Sequence, residues 1–116
     1  DALPISALLT LAKAAAEKRP PEYPVHFGRM VTGEAFITDE GRQSINARFA
    51  PLTVDMETAA VAHVCHVNGV PFLAIRTVTD TADHSGTGNF ELNCEKASAI
   101  AKDFTLALLE EMKARA

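Results

Sequence analysis

The chain has no tryptophan, one tyrosine and two cysteines among its 116 residues, and it carries no excess of basic charge. Eleven Lys and Arg stand against fifteen Asp and Glu, a formal net charge of −4 at pH 7. Binding to nucleic acid draws on a basic stripe that neutralises phosphates, so this acidic balance with few aromatics argues against that class of partner. No apolar run approaches the roughly 18 to 20 residues of a membrane span. The opening Asp1-Ala2-Leu3-Pro4-Ile5-Ser6 places no basic region ahead of an apolar core, so no signal peptide is expected. Cys65 and Cys94 are too few for a disulfide scaffold. Repeats, linkers and low-complexity stretches are also missing. With 47% hydrophobic and 22% charged residues, the composition is that of a globular chain. The expectation is a mildly acidic, soluble, cytoplasmic domain, or part of one.

Helical periodicity appears first over residues 6–18, where Leu8, Leu9, Leu11, Ala12 and Ala15 form one apolar stripe and Ser6 is placed to cap it. Arg19-Pro20-Pro21 stops that helix. Residues 25–31 are β-rich and bounded by Pro24 and Gly33, which predicts a strand; residues 33–37 continue as a loop or a second short strand. A short helix is predicted over 39–49, entered through Thr38 or Asp39, then a strand over 52–56 and an Ala-rich helix over 58–68 closed by Gly69. Residues 71–78 run Pro-Phe-Leu-Ala-Ile-Arg-Thr-Val, the pattern of a strand covered on both faces. Residues 81–89 hold Gly86 and Gly88 and read as a polar loop, and a long amphipathic helix follows from about 92 to 115. Alternating strands and helices predict an α/β fold. About three strands make a thin sheet against the usual roughly four to six, which suggests an incomplete domain. Residues 1–5 also match what a common sequencing-library adapter encodes in one frame; an adapter remnant and an ordinary extended N-terminus both fit.

Ligands of open α/β sheets bind beyond the carboxyl ends of the strands, which directs attention to Asp55-Met56-Glu57 and to Arg76-Thr77-Val78-Thr79-Asp80. If those two strands pair in parallel, Glu57 and Asp80 emerge side by side next to Arg76. Two carboxylates and an arginine suit a substrate that develops positive charge and needs a proton. The competing assignment makes Asp80 a turn cap and Glu57 a favourable acid in a first helical turn. Phe36, in a polar loop, is either a core plug or a stacking face for a planar ligand. His63, Cys65 and His66 do not converge as a metal site would require, and they fit a structural thiol beside surface histidines. Gly86-Thr87-Gly88 lacks phosphate-loop spacing, and the adjacent His84 and Ser85 do not make a nucleophile and base.

Taken in order, Val54-Asp55-Met56-Glu57-Thr58-Ala59-Ala60, His63-Val64-Cys65-His66, Val70-Pro71-Phe72 and residues 75–83 resemble the 5′-methylthioadenosine/S-adenosylhomocysteine nucleosidase family of the purine nucleoside phosphorylase superfamily. Thr32-Gly33-Glu34-Ala35-Phe36-Ile37 resembles that family's adenine-binding segment. The resemblance implies hydrolysis of the N-glycosidic bond of adenosine thioethers, without cofactor or metal. It makes Asp80 the acid at adenine N7, supported by Thr79. Phe36 then stacks on the base, the Ile37 backbone bonds its edge, Met56 lies against the ribose, Glu57 holds the 2′- and 3′-hydroxyls, and Arg76 helps hold the water. An aspartate acting as an acid near neutrality needs surroundings that favour its protonated form, and an apolar pocket walled by Phe36 would supply them.

The family's chains are about twice this long, so the resemblance covers their C-terminal half. It implies a three-layer αβα sandwich, a single domain of which residues 1–116 form the C-terminal part, and a homodimer when complete. The water-activating glutamate would belong to the other half, and the piece alone would be inactive. Rival readings are a phosphorylase of the same superfamily, a nucleosidase for a futalosine-type adenosine, and a non-catalytic adenosine-binding module.

Overall fold

The computed structural model describes residues 5–18, 22–80 and 86–115. In chain order its elements are α1 (Ile5–Lys18), β1 (Met30–Thr32), α2 (Asp39–Phe49), β2 (Thr53–Asp55), α3 (Thr58–Val67) and α4 (Gly86–Ala114). The fold is α/β, rich in helix, with a small two-stranded parallel sheet in which Met30 pairs with Thr53, Val31 with Val54 and Thr32 with Asp55. None of the described helices is long and apolar enough to cross a membrane.

The core sits between the first and last helices. Leu11 and Ala12 of α1 pack on Leu108 of α4, with Phe104 and Met112 alongside. These side chains fall at helical spacing on both elements, so each helix turns one apolar stripe to the other. Lys18 adds a 2.8 Å ion pair to Glu111, whose side chain is almost wholly enclosed. Helix α1 begins at Ile5, so Ser6 lies inside the first turn rather than capping it, and its carbonyl accepts from Thr10 Oγ1 at 3.0 Å. The proposed stop at residues 19–21 lies outside the described residues, as do residues 1–4.

Two devices bring the strands together. Helix α2 ends at Ala50, which takes the left-handed conformation (φ 43°, ψ 50°) and donates its backbone N–H to the Asn46 carbonyl. Arg29, just before β1, then clasps the turn: its Nη1 donates to the Phe49 carbonyl at 2.8 Å, and its own carbonyl accepts from Leu52 N at 2.9 Å. The chain is thereby folded back so that β2 runs beside β1. Gly69 takes φ 67° after α3, as a helix terminus closed by glycine requires.

Three sequence expectations are corrected. The strand predicted over 25–31 is limited to Met30–Thr32. Residues 71–78 join no ladder among the described residues. Their apolar side chains serve a helical core instead, with Leu73 and Ile75 packed against α1 and α4. Helix α4 starts at Gly86, not near 92, so the second half of the expected loop is helical. Glycine weakens a helix by about 1 kcal/mol relative to alanine. Contacts made by Phe90 and Asn93 hold these early turns in place.

Candidate active site

The site is built on the carboxyl ends of β1 and β2. Asp55 closes β2, and its Oδ1 accepts from Thr32 Oγ1 at 2.8 Å, Glu57 N at 3.1 Å and Thr58 N at 2.9 Å. Thr32 closes β1 directly opposite, and its hydroxyl oxygen accepts from Ala59 N at 2.9 Å. Two side chains from neighbouring strand ends therefore satisfy the backbone N–H groups that the start of α3 leaves open. Burial pushes the Asp55 carboxyl up, but hydrogen bonds from Thr58, Thr32 and Glu57 outweigh it and hold the pKa at about 2.

Because Asp55 and Thr32 cap the helix, Glu57 does not. Glu57 occupies the N-cap position (φ −133°, ψ −32°), yet its side chain makes no capping bond. It reaches Arg76 instead, whose Nη2 donates to Glu57 Oε2 at 3.0 Å. The Nε of the same arginine lies 4.0 Å from Asp55 Oδ2. Glu57 is 65% exposed and Asp55 6%, so one acid faces solvent while the other supports it from inside. Met56, between them, is exposed.

A second group gathers on the first turns of α4. Phe36, from the loop after β1, meets Phe90 edge to face, with centroids 6.4 Å apart and planes at 80°. One turn further on, Asn93 Nδ2 donates to the Thr79 carbonyl at 2.9 Å. Thr79 Oγ1 donates to Asp80 Oδ1 at 2.6 Å. Both phenyl rings are a little over 40% exposed, so Phe36 is not a core plug. Ile37 is half-buried behind it, its side chain turned toward Gly41 in the first turn of α2.

The expected side-by-side emergence of Glu57 and Asp80 from paired strands is not formed, since residues 71–78 do not pair with β2. Arg76 makes the connection from that segment to Glu57. His63 and His66 are exposed and Cys65 is half-buried on α3, while His84 and Ser85 lie outside the described residues. An open groove of about 440 Å³ lies between α1 and residues 23–27, and no predicted site residue lines it.

Sequence reasoning passed over the roles of Thr32, Asp55, Phe90 and Asn93. The parallel register that sets Thr32 opposite Asp55 was the available signal for the first two. Phe90 and Asn93 share a face at i and i+3, legible once α4 is extended back to Gly86.

The family model of the phosphorylase superfamily matches residues 1–110. A 5′-methylthioadenosine/S-adenosylhomocysteine nucleosidase of Actinobacillus succinogenes is 36% identical over 108 residues, covering 91% of this chain and 46% of the relative. Among solved structures, such a nucleosidase from Colwellia psychrerythraea in complex with adenine superposes with a TM-score of 0.86 at 29% identity, over 94% of this chain and 46% of that one. Futalosine hydrolase of Helicobacter pylori gives a TM-score of 0.85 at 28% identity, over 90% and 45%. The chain spans about half the length of the relatives it matches. The chain belongs to the phosphorylase superfamily and shares its nucleoside phosphorylase-type α/β fold.

Proposed function

We propose that the whole protein hydrolyses the N-glycosidic bond of 5′-methylthioadenosine and S-adenosylhomocysteine, releasing adenine. The observation that carries this reading is the freedom of Glu57 from its capping duty: a solvent-facing carboxylate stands at a strand end, beside Arg76, in a chain similar to nucleosidases. In the reaction the bond pair of the C1′–N9 bond passes to adenine, and Asp80 gives a proton to N7 so that the base leaves neutral. Water adds to C1′ and gives its proton to the water-activating glutamate that the resemblance assigns to the other half of the protein. Glu57, bonded to the ribose hydroxyls, offsets the positive charge that develops on the sugar. Phe36, with Phe90 at its edge, offers the face on which adenine stacks, and the Ile37 backbone addresses the base edge. Met56 lies against the ribose, Arg76 helps hold the water, and Thr79 steadies Asp80.

Residues 1–116 then form the C-terminal part of one three-layer domain, cytoplasmic and homodimeric when whole, with a role in methionine salvage. Helix α3 supports this: none of its ten residues is buried, and Val61, Val64 and Val67 stand more than half exposed. A chain of this length alone should not turn over, because catalytic groups acting as a unit fail together.

A futalosine-type nucleoside is the second substrate class, favoured by the likeness to futalosine hydrolase. Release of the free base by the whole protein, adenine from methylthioadenosine and S-adenosylhomocysteine and hypoxanthine from futalosine, each with and without phosphate, tests the proposal. Release from the thioethers without phosphate is expected. Strict dependence on phosphate would make the protein a phosphorylase, preference for futalosine would select the second class, and binding of adenosine without turnover would leave a binding module.

A further inference from the structure

The Asp55 side chain is only 6% exposed, and the reaction outlined above gives it no task. Its Oδ1 takes three donors: the Thr32 hydroxyl of β1, the Glu57 amide in the turn between β2 and α3, and the Thr58 amide of α3. Its Oδ2 is also buried and has no hydrogen-bond partner among the described residues. The nearest cationic atom to that oxygen is Arg76 Nε at 4.0 Å, too long for a hydrogen bond yet close enough for charge attraction through a poorly solvated gap. The same guanidinium bonds Glu57 Oε2. One arginine is thus shared by two acids, a buried one that cannot move and an exposed one that can.

We propose that Asp55, fixed by Thr32, is the positioning residue of the sugar-binding pair: it sets the backbone of Glu57 and anchors the Arg76 guanidinium, so that Glu57 gives one carboxylate oxygen to Arg76 and presents the other to the ribose. This rests on the reading of Glu57 as the carboxylate that binds the sugar hydroxyls. Two features separate anchoring from simple capping. A cap needs only Oδ1, whereas Oδ2 faces Arg76. A cap would also work as an amide, because an asparagine carbonyl can accept from the same two backbone N–H groups. The amide NH₂ would then face the guanidinium, donor against donor, and Arg76 would lose its inner partner.

Asp55→Asn is therefore the informative substitution. In the whole protein it should lower kcat about 10- to 100-fold while KM stays within about threefold, the signature of lost alignment rather than lost binding. Thr32→Val should act in the same direction, and Thr32→Ser, which keeps the hydroxyl, should restore the rate. The Arg76 Nε–H signal in NMR should move to the position of a solvated arginine in Asp55→Asn, with the Thr58 amide retained. If the unsubstituted protein releases no adenine, the nucleosidase reading fails, and the Arg76 signal still decides the anchoring. An Arg76 signal unmoved by Asp55→Asn, or an unchanged kcat in a protein that does turn over, would overturn the proposal.

Discussion

The ring of Phe36 stands edge-on to that of Phe90, their centroids 6.4 Å apart and their planes at 80°. This contact joins the loop after β1 to the first turns of α4, and it holds a loop aromatic in one orientation while leaving much of it exposed. Phe36→Ala should therefore weaken adenine binding by about tenfold or more, since an aromatic pair is worth about 0.5–1.5 kcal/mol beyond its burial and base stacking about 1–3 kcal/mol. Phe90→Ala should weaken it less, because it removes the buttress and leaves the stacking face. Adenine titration calorimetry on the whole protein checks the order of the two effects.

Asp80→Asn should abolish turnover and largely spare binding. Asparagine keeps a hydrogen bond to the base but delivers no proton, a loss worth roughly 10² to 10⁴ in rate. Wild-type adenine release by the Asn variant would remove Asp80 from the mechanism.

Glu57→Gln should lower transition-state stabilisation more than ground-state binding. Its effect should overlap with that of removing the 2′-hydroxyl from the substrate, because both delete one interaction. Kinetics of both proteins on both substrates measure the coupling, and full additivity would contradict the assignment.

The Asp55 carboxyl titrates at about 2, well below an ordinary aspartate. A lowered folded-state pKa contributes stability that is fully present above the unfolded value near 4 and is lost as pH falls through about 2. Urea midpoints of the native and Asp55→Asn proteins, measured from pH 7 down to pH 2, should differ most at neutrality and converge over the last two units. A constant gap across that window would mean that the carboxylate is not preferentially stabilised on folding.

Ala50 sits in the left-handed region at the end of α2, where a side chain is strained by roughly 1–2 kcal/mol. Ala50→Gly should relieve part of that strain and raise stability by about 0.5 kcal/mol, less than the full amount because glycine gains freedom when unfolded. Thermal denaturation checks the sign.

Much of this arrangement was legible in the residues. Helix α2 falls on its expected 39–49 span, α3 stops one residue short of its expected end, and β2 is one residue shorter than expected at each end. Periodicity and Gly69 carried those assignments. Residues 71–78 show where pattern stops: a continuous apolar run fits a buried strand and an extended segment pressed on helices equally well. The start of α4 was hidden for a different reason. Gly86 and Gly88 speak for a loop, and only the long-range contacts of Phe90 and Asn93 override them. For the site, residue types pointed to Glu57, Arg76 and Asp80, but not to the capping by Asp55 and Thr32, which depends on strand register.

The segment 71–80 touches three parts of the molecule within seven residues. Leu73 and Ile75 press into the α1–α4 core, Arg76 reaches the β2–α3 corner, and Thr79 is tied back to Asn93. It therefore acts as a tie-rod between the packed α1–α4 helix pair and a strand-helix corner. A loosening of Leu11 against Leu108 would be transmitted along it as a displacement of Arg76 and Thr79. Core substitutions far from any ligand, Leu108→Ala among them, should then register in amide hydrogen exchange at the site as faster opening of residues 71–80, before the β1–β2 corner itself comes apart.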